Sequence, residues 1–182
     1  MRLPEISKTI KVPDDVDLKM DGKKISLKGA KGSIARDFSF APISIESEGK
    51  SIRISAKWPR KKEAALVGTI YSHINNMITG VTKGYQYKLK IVFSHFPISV
   101  KTQDKAVLIE NFTGERRARK VKTIGDVKVK VEAEDIIVEG VNLENVSQTA
   151  ANIEQATRVR RKDPRVFLDG IYVYERNEGV AQ

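Results

Sequence analysis

The chain changes its hydrophobic period twice, in the same order each time. Short segments that alternate apolar and polar residues come first: Ser7 to Val12, Leu18 to Met20, Ile25 to Lys28, Ser33 to Asp37, Ile43 to Ser47 and Ser51 to Ala56. Such alternation marks half-buried strands. Asp21-Gly22, Gly29-Ala30-Lys31-Gly32 and Glu48-Gly49 sit where hairpins would turn. After Pro59 the residues Val67, Ile70, Tyr71, Ile74, Met77, Ile78 and Val81 recur at three and four, which predicts a helix that Pro59 opens and Gly80 or Gly84 ends. From Tyr85 the pattern restarts, with strands expected at Tyr85 to Phe93, Ile98 to Lys101, Ala106 to Glu110, Arg116 to Lys120, Val127 to Val131 and Ile136 to Glu139. A second helix follows, capped by Asn142 or Asn145, with Val146, Ala150, Ile153 and Ala156 or Thr157 on its apolar side.

Laid side by side, Lys23 to Leu27 falls over Lys105 to Ile109, Gly32 over Gly114, Ile52 over Ile136 and Ile70 over Ile153, at a spacing of about 82 to 84 residues. Element order, more than identity, carries this repeat. The expected fold is α+β, two tandem copies of a small unit over 1–83 and 84–182, each with one helix packed on a mostly antiparallel sheet. At 182 residues and 40% hydrophobic content there is enough apolar surface for such cores. Arg158 to Gln182 has no counterpart in the first copy. Val166-Phe167-Leu168 and Ile171 to Tyr174 around Asp169-Gly170 predict a strand or hairpin, and Glu175 to Gln182 a frayed tail.

Thirty-three Lys and Arg against 23 Asp and Glu leave a formal charge of +10, which favours a polyanionic partner. The first copy holds 16 cations against 9 carboxylates and the second 17 against 14, so net charge alone nominates the first. Residue type points the other way. Four arginines lie in the first copy and eight in the second, and arginine is the better phosphate ligand because its planar fork donates two parallel hydrogen bonds. Arg116, Arg117 and Arg119 cluster with Lys120 and Lys122; Arg158, Arg160 and Arg161 cluster with Lys162 and Arg165. Between them, Asp126, Glu132, Glu134, Asp135, Glu139, Glu144 and Glu154 face only Lys128 and Lys130, a segregation that suggests a basic face opposed by an acidic one.

Either cluster alone could be a solvated strand edge or helix end; two in one copy favour phosphate binding. A third group, Lys57, Arg60, Lys61 and Lys62 with Trp58, reads equally as part of an anion site or as a surface turn with a half-buried tryptophan. Phe167, Tyr172 and Tyr174 could stack on unpaired bases, although the shared face of Tyr172 and Tyr174 is more often explained by core packing.

Catalysis finds no constellation. The absence of cysteine removes thiolate chemistry, and His73 and His95 stand apart with no partner at metal-ligand spacing. Asp163 and Asp169 in a basic neighbourhood would suit a metal-dependent nuclease. However, Asp169-Gly170 reads as a turn pair and Asp163 precedes Pro164. No run reaches the roughly 18 apolar residues of a membrane span, and Met1 to Glu5 lacks a signal-peptide core, so the expectation is a soluble, unexported protein.

Long blocks of the sequence resemble one family. Gly84-Tyr85-Gln86-Tyr87-Lys88-Leu89-Lys90-Ile91-Val92-Phe93-Ser94-His95-Phe96-Pro97-Ile98, Lys162-Asp163-Pro164-Arg165-Val166-Phe167-Leu168-Asp169-Gly170-Ile171-Tyr172-Val173, Asn75 to Gly84 and Asn111 to Glu115 are similar to the universal large-subunit ribosomal proteins of the L-six family, in the archaeal and eukaryotic branch and closest to the archaeal pattern. The resemblance implies a duplicated α+β architecture and a cytoplasmic, ribosome-associated structural constituent of the large subunit. It places that constituent near the sarcin-ricin loop and stalk base of the factor-binding region. It also implies partners in large-subunit ribosomal RNA and neighbouring ribosomal proteins, with no cofactor, small-molecule substrate or catalytic residue. Carried onto this chain, RNA binding falls on Arg158, Arg160, Arg161, Lys162, Arg165, Gly170 and Tyr172, and less directly on Arg116, Arg117, Arg119, Lys120 and Lys122. A free RNA-binding or RNA-chaperone module is the alternative.

Overall fold

The computed structural model describes residues 4–160, 162–163 and 165–179. The chain divides into two compact units, residues 1–83 and 84–182. In the first, β1 (Glu5–Lys11), β6 (Ser51–Lys57) and β5 (Ser44–Glu48) form one antiparallel sheet in that order, and β2 (Asp17–Asp21), β3 (Lys24–Gly29) and β4 (Gly32–Asp37) form another. Helix α1 (Lys61–Thr82) packs on both, so each copy holds two sheets where the sequence suggested one. Its stripe of Val67, Ile70, Ile74 and Val81 is fully buried against Ile25, Leu27, Ile52 and Ile54. Burying a side chain of this size is worth about 1.5–3 kcal/mol. Pro59 lies just outside the helix rather than in its first turn: extended Arg60 is the cap residue, and its N–H donates to the Glu63 carboxylate at 2.8 Å. Gly80 is a buried residue within α1, and the left-handed Gly84 (φ 78°) follows the C-terminal cap Lys83.

The second unit repeats this topology strand for strand. β7 (Tyr85–Val92), β12 (Asp135–Gly140) and β11 (Lys128–Glu132) correspond to β1, β6 and β5, while β8 (Ser99–Gln103), β9 (Ala106–Glu110) and β10 (Arg119–Lys122) correspond to β2, β3 and β4. Ile52 pairs with Ile10 in one unit and Ile136 with Leu89 in the other, and Ile70 and Ile153 are the equivalent fully buried helix positions. Helix α2 (Leu143–Ala156) starts at Asn142, whose side chain accepts from Glu144 N–H at 2.9 Å; such a cap is worth about 1 kcal/mol. The correspondence breaks at Gly32 and Gly114. β3 and β4 are joined by a tight turn, whereas residues 111–118 separate β9 from β10 and include a 3-10 turn at Phe112–Gly114. Positive φ at Asn111, Thr113 and Gly114 bends this connection around the buried Phe112, so Arg116 and Arg117 precede the strand instead of starting it.

The outer edge of β7 carries a strand that the first unit lacks. β13 (Gly170–Glu178) pairs antiparallel with β7 from Gly170 opposite Val92 to Glu178 opposite Tyr85, with an irregularity between Val173 and Glu175. Of the strand or hairpin expected around Asp169-Gly170 the strand forms, from Gly170 onward, and the hairpin and the frayed tail do not. Residues 166–168 are not a strand, and residues 175–178 are paired strand rather than frayed tail; residues 180–182 lie outside the described residues. An open edge beside β7 offers a ladder of unpaired backbone groups, which outweighs the weak local preference for a hairpin at Asp169-Gly170. The entry to β13 is pinned twice. Buried Thr157 Oγ1 accepts from Ile171 N–H at 2.9 Å and donates to the Glu154 carbonyl at 3.1 Å. The buried Asp169 carboxylate accepts from Ser94 N–H at 2.6 Å and His95 N–H at 3.4 Å, which makes Asp169 an anchor and not a turn residue.

Two predictions follow from this packing. A Cβ on Gly29 would lie 2.6 Å from the Val81 carbonyl oxygen, the same oxygen that accepts from Lys31 N–H at 3.0 Å. Gly29→Ala should therefore destabilise the chain by about 2–3 kcal/mol in urea unfolding, through forced overpacking. Gly22→Ala, strained only by φ +59° in open space, should cost about 1 kcal/mol. The second concerns acid. The Ser94 N–H, followed by that of His95, holds the Asp169 carboxyl below its ordinary value of 3.8, against the opposing effect of burial. A depressed carboxyl stabilises the fold above its unfolded-state pKa and loses that contribution as pH falls through the folded value. The thermal unfolding midpoint of the native chain should exceed that of Asp169→Asn at pH 7, and the gap should close as pH drops below 3.8.

Candidate nucleic-acid interface

Arg119 of the first arginine cluster meets the second cluster at the C-terminal end of α2, where the last carbonyls of the helix carry partial negative charge. Arg119 opens β10 and lies across this end. Its guanidinium donates to the Ala156 carbonyl, grips both carboxylate oxygens of Glu115, at 2.8 Å through Nε, and stacks 4.3 Å over the Phe112 ring. Glu115 is correspondingly held below the usual carboxylate range by Arg119. Arg119 is thus occupied within the fold, positioning the 111–118 connection against α2.

A groove of about 430 Å³ opens beside Arg119, lined by Phe112, Arg119, Gln155, Arg158, Arg160 and Lys162 among others. A second, of about 470 Å³, shares Gln155, Arg158, Val159 and Lys162 with it and is completed by Phe167 and Tyr172. The shared residues form a common wall, and the first groove brings Arg119 beside Arg158, Arg160 and Lys162, cations far apart in sequence. Arg158, Arg160 and Lys162 are exposed, and Lys162 Nζ lies 4.4 Å over the Phe167 ring. Arg161 lies outside the described residues. Arg165 is exposed but forms a fork with Asp163, at 3.2 Å and 3.1 Å, which holds Asp163 below its usual range. Arg116 and Arg117 are exposed on the preceding connection. Lys120 and Lys122 alternate with buried Val121 and so point away from the face that Arg119 uses.

Tyr172 and Tyr174 are 43% and 55% exposed, which removes core packing as their explanation. Ile171 and Val173 face the core instead, and Tyr172 also donates to the Leu168 carbonyl at 3.2 Å. Gly170 is buried under the Tyr172 ring, where an added Cβ would come within 3.0 Å of it. His95 packs 5.5 Å from Phe167 and contacts Asp169 at 3.5 Å, while partly buried His73 shares a hydrogen bond with Arg36 at 3.3 Å. Part of the acidic stretch between the clusters is paired within the second unit. Lys90 pairs with Glu134 and Asp135, Lys130 with Glu139, and Lys88 with Glu175, because adjacent strands bring these charges together across the sheet.

Phe112 and Gln155 are lining residues that the sequence reading passed over; an aromatic a few positions before an arginine run was the available signal. Among the described residues no group of three His, Asp or Glu comes together that could hold a metal ion, and no helix is long and apolar enough to cross a membrane.

Comparison with known proteins gives this surface its context. The sequence profile described as ribosomal protein L6 matches residues 12–84 and 96–170, one match in each unit. The chain is 52% identical over 182 residues to the large ribosomal subunit protein uL6 of Staphylothermus marinus, covering 98% of both chains. It is 50% identical over 182 residues to that of Desulfurococcus amylolyticus, covering 98% of this chain and 99% of the relative. Against that of Methanosphaera stadtmanae it is 47% identical over 179 residues, at 98% and 97% coverage. With both units matched and near-complete relatives throughout, the chain belongs to the ribosomal protein L6 family, in its archaeal branch.

Proposed function

We propose that this chain is a structural constituent of the large ribosomal subunit that binds large-subunit ribosomal RNA through the grooves at the C-terminal end of α2. It works in the cytoplasm as part of the particle, beside neighbouring ribosomal proteins and near the sarcin-ricin loop and stalk base. The observation that carries the reading is the exposure of Arg158, Arg160 and Lys162 along two grooves that share a wall, the second completed by Phe167 and Tyr172. The names of the uL6 relatives support the particle.

Mechanistically, the exposed guanidiniums neutralise phosphates and release their condensed counterions, which supplies most of the affinity. Arg119 contributes through position, since its bonds to Glu115 and Ala156 hold the groove wall rigid. Arg116, Arg117 and Arg165 are further phosphate contacts, Arg165 by exchanging Asp163 for phosphate oxygens. Lys120 and Lys122 reach a different part of the RNA or a neighbouring protein. The A-form major groove is too deep and narrow for side chains to read, so recognition is of backbone shape, with Tyr172 and Phe167 available to unstacked bases. The family is structural rather than enzymatic, and RNA is the partner here, not a substrate.

Charge reversal tests the face. Arg158→Glu combined with Arg160→Glu should weaken binding to a large-subunit RNA transcript by about 100-fold or more and reduce the salt slope by about two, as expected for two lost phosphate contacts. Lys24→Glu combined with Lys28→Glu, on β3 of the first unit, should cost less than about tenfold on the same scale. Filter-binding titrations across salt concentrations measure both, and equal losses would overturn the assigned face. Sucrose-gradient sedimentation checks the particle: the chain should travel with the large subunit, and a chain confined to light fractions would be a free RNA-binding module instead.

A further inference from the structure

The first unit holds an aromatic and cationic cluster that the proposed interface leaves unused. Between β6 and α1 the chain turns at Trp58, whose φ is 48° and whose N–H donates to the Pro4 carbonyl at 2.8 Å. Pro59 is buried behind it, and the indole is turned outward, 67% exposed, where the sequence left room for a half-buried ring. It is the single tryptophan of the chain. An indole gains by leaving water, and a positive φ in a bulky residue before proline costs further free energy, so a plain strand-to-helix connection is better served by almost any other residue. Lys57, Arg60, Lys61 and Lys62 flank it in the chain and are all exposed. Glu63, the carboxylate of this segment, is engaged by Arg60 N–H at 2.8 Å. Lys57 and Glu63 also border a groove of about 380 Å³ with Lys23 and Pro42.

We infer that Trp58 is a second RNA contact, made by the first unit: the indole stacks on an unpaired base while Lys57, Arg60, Lys61 and Lys62 take the flanking phosphates. The local charge selects a polyanion, and an outward aromatic face among cations suits a single strand, since bases in a duplex have their faces already covered. The inference rests on the reading of the chain as a ribosomal RNA binder but uses none of the residues of the second unit.

Because Trp58 is the single tryptophan, its fluorescence reports this contact without a label. Titrating the full chain with a large-subunit RNA transcript should quench the emission saturably, whereas a fully paired RNA duplex should leave it little changed. Quenching should persist in the Arg158→Glu, Arg160→Glu variant at higher RNA concentration. Trp58→Ala should lower affinity about 5- to 150-fold, the range for one base-aromatic stack, and Trp58→Phe should retain most of it. RNA retained on filters with unchanged emission overturns this inference and leaves the second-unit reading standing; no retention at all overturns both. In the assembled particle, ultraviolet crosslinking should join the Trp58 peptide to a nucleotide, and a crosslink to a protein instead overturns the contact.

Discussion

The open edge of β7 decides where the C-terminal residues go. In the first unit the equivalent strand, β1, ends its sheet; in the second, β13 supplies another strand and satisfies a row of backbone groups along β7. Since Thr157 and Asp169 hold the start of β13, the described residues between α2 and β13 lie across the end of the helix. Arg158, Arg160 and Lys162 lie on that crossing. Had the extension simply frayed, their spacing from Arg119 would be undefined and no groove would persist between them.

Cations in this protein do two kinds of work, and pairing with protein acceptors separates them. Arg119 is partly enclosed, stacked on Phe112 and bonded to Glu115 and Ala156, so its charge is spent holding two elements together. Lys88, Lys90 and Lys130 are likewise paired with carboxylates across the sheet. Donating to Glu175 and Glu134 raises the pKa of Lys88 and Lys90 respectively, as expected where the charged form is the one being held. Arg158 and Arg160 stand at the surface of the groove, so a phosphate can approach them without first breaking the fold. Counting charges along the chain treats all of these alike.

Much of the architecture was legible because burial imposes a period that folding cannot hide. The repeat, the two helices, Asn142 as a cap and most strands follow from alternation and stripe. The misplacements are equally specific. The strand start at Arg116 failed because the bend at Asn111, Phe112 and Thr113 depends on left-handed backbone in non-glycine residues, which composition does not announce. Asp169-Gly170 has the local chemistry of a turn, yet its carboxylate accepts backbone N–H groups some 74 residues away in sequence. Alternation placed Tyr172 and Tyr174 on one face without saying which; the deeper core contact of Ile171 settled it.

From the sequence alone came the duplication, the α+β class, the concentration of arginine in the second unit and the family resemblance, all properties of local pattern that survive any arrangement of the elements. Tertiary structure decided which cations face outward and which are consumed. That choice depends on strand pairing across long separations: β13 on β7 sets where the exposed Arg158, Arg160 and Lys162 lie, and Arg119 meets Ala156 only when β10 and the end of α2 are brought together.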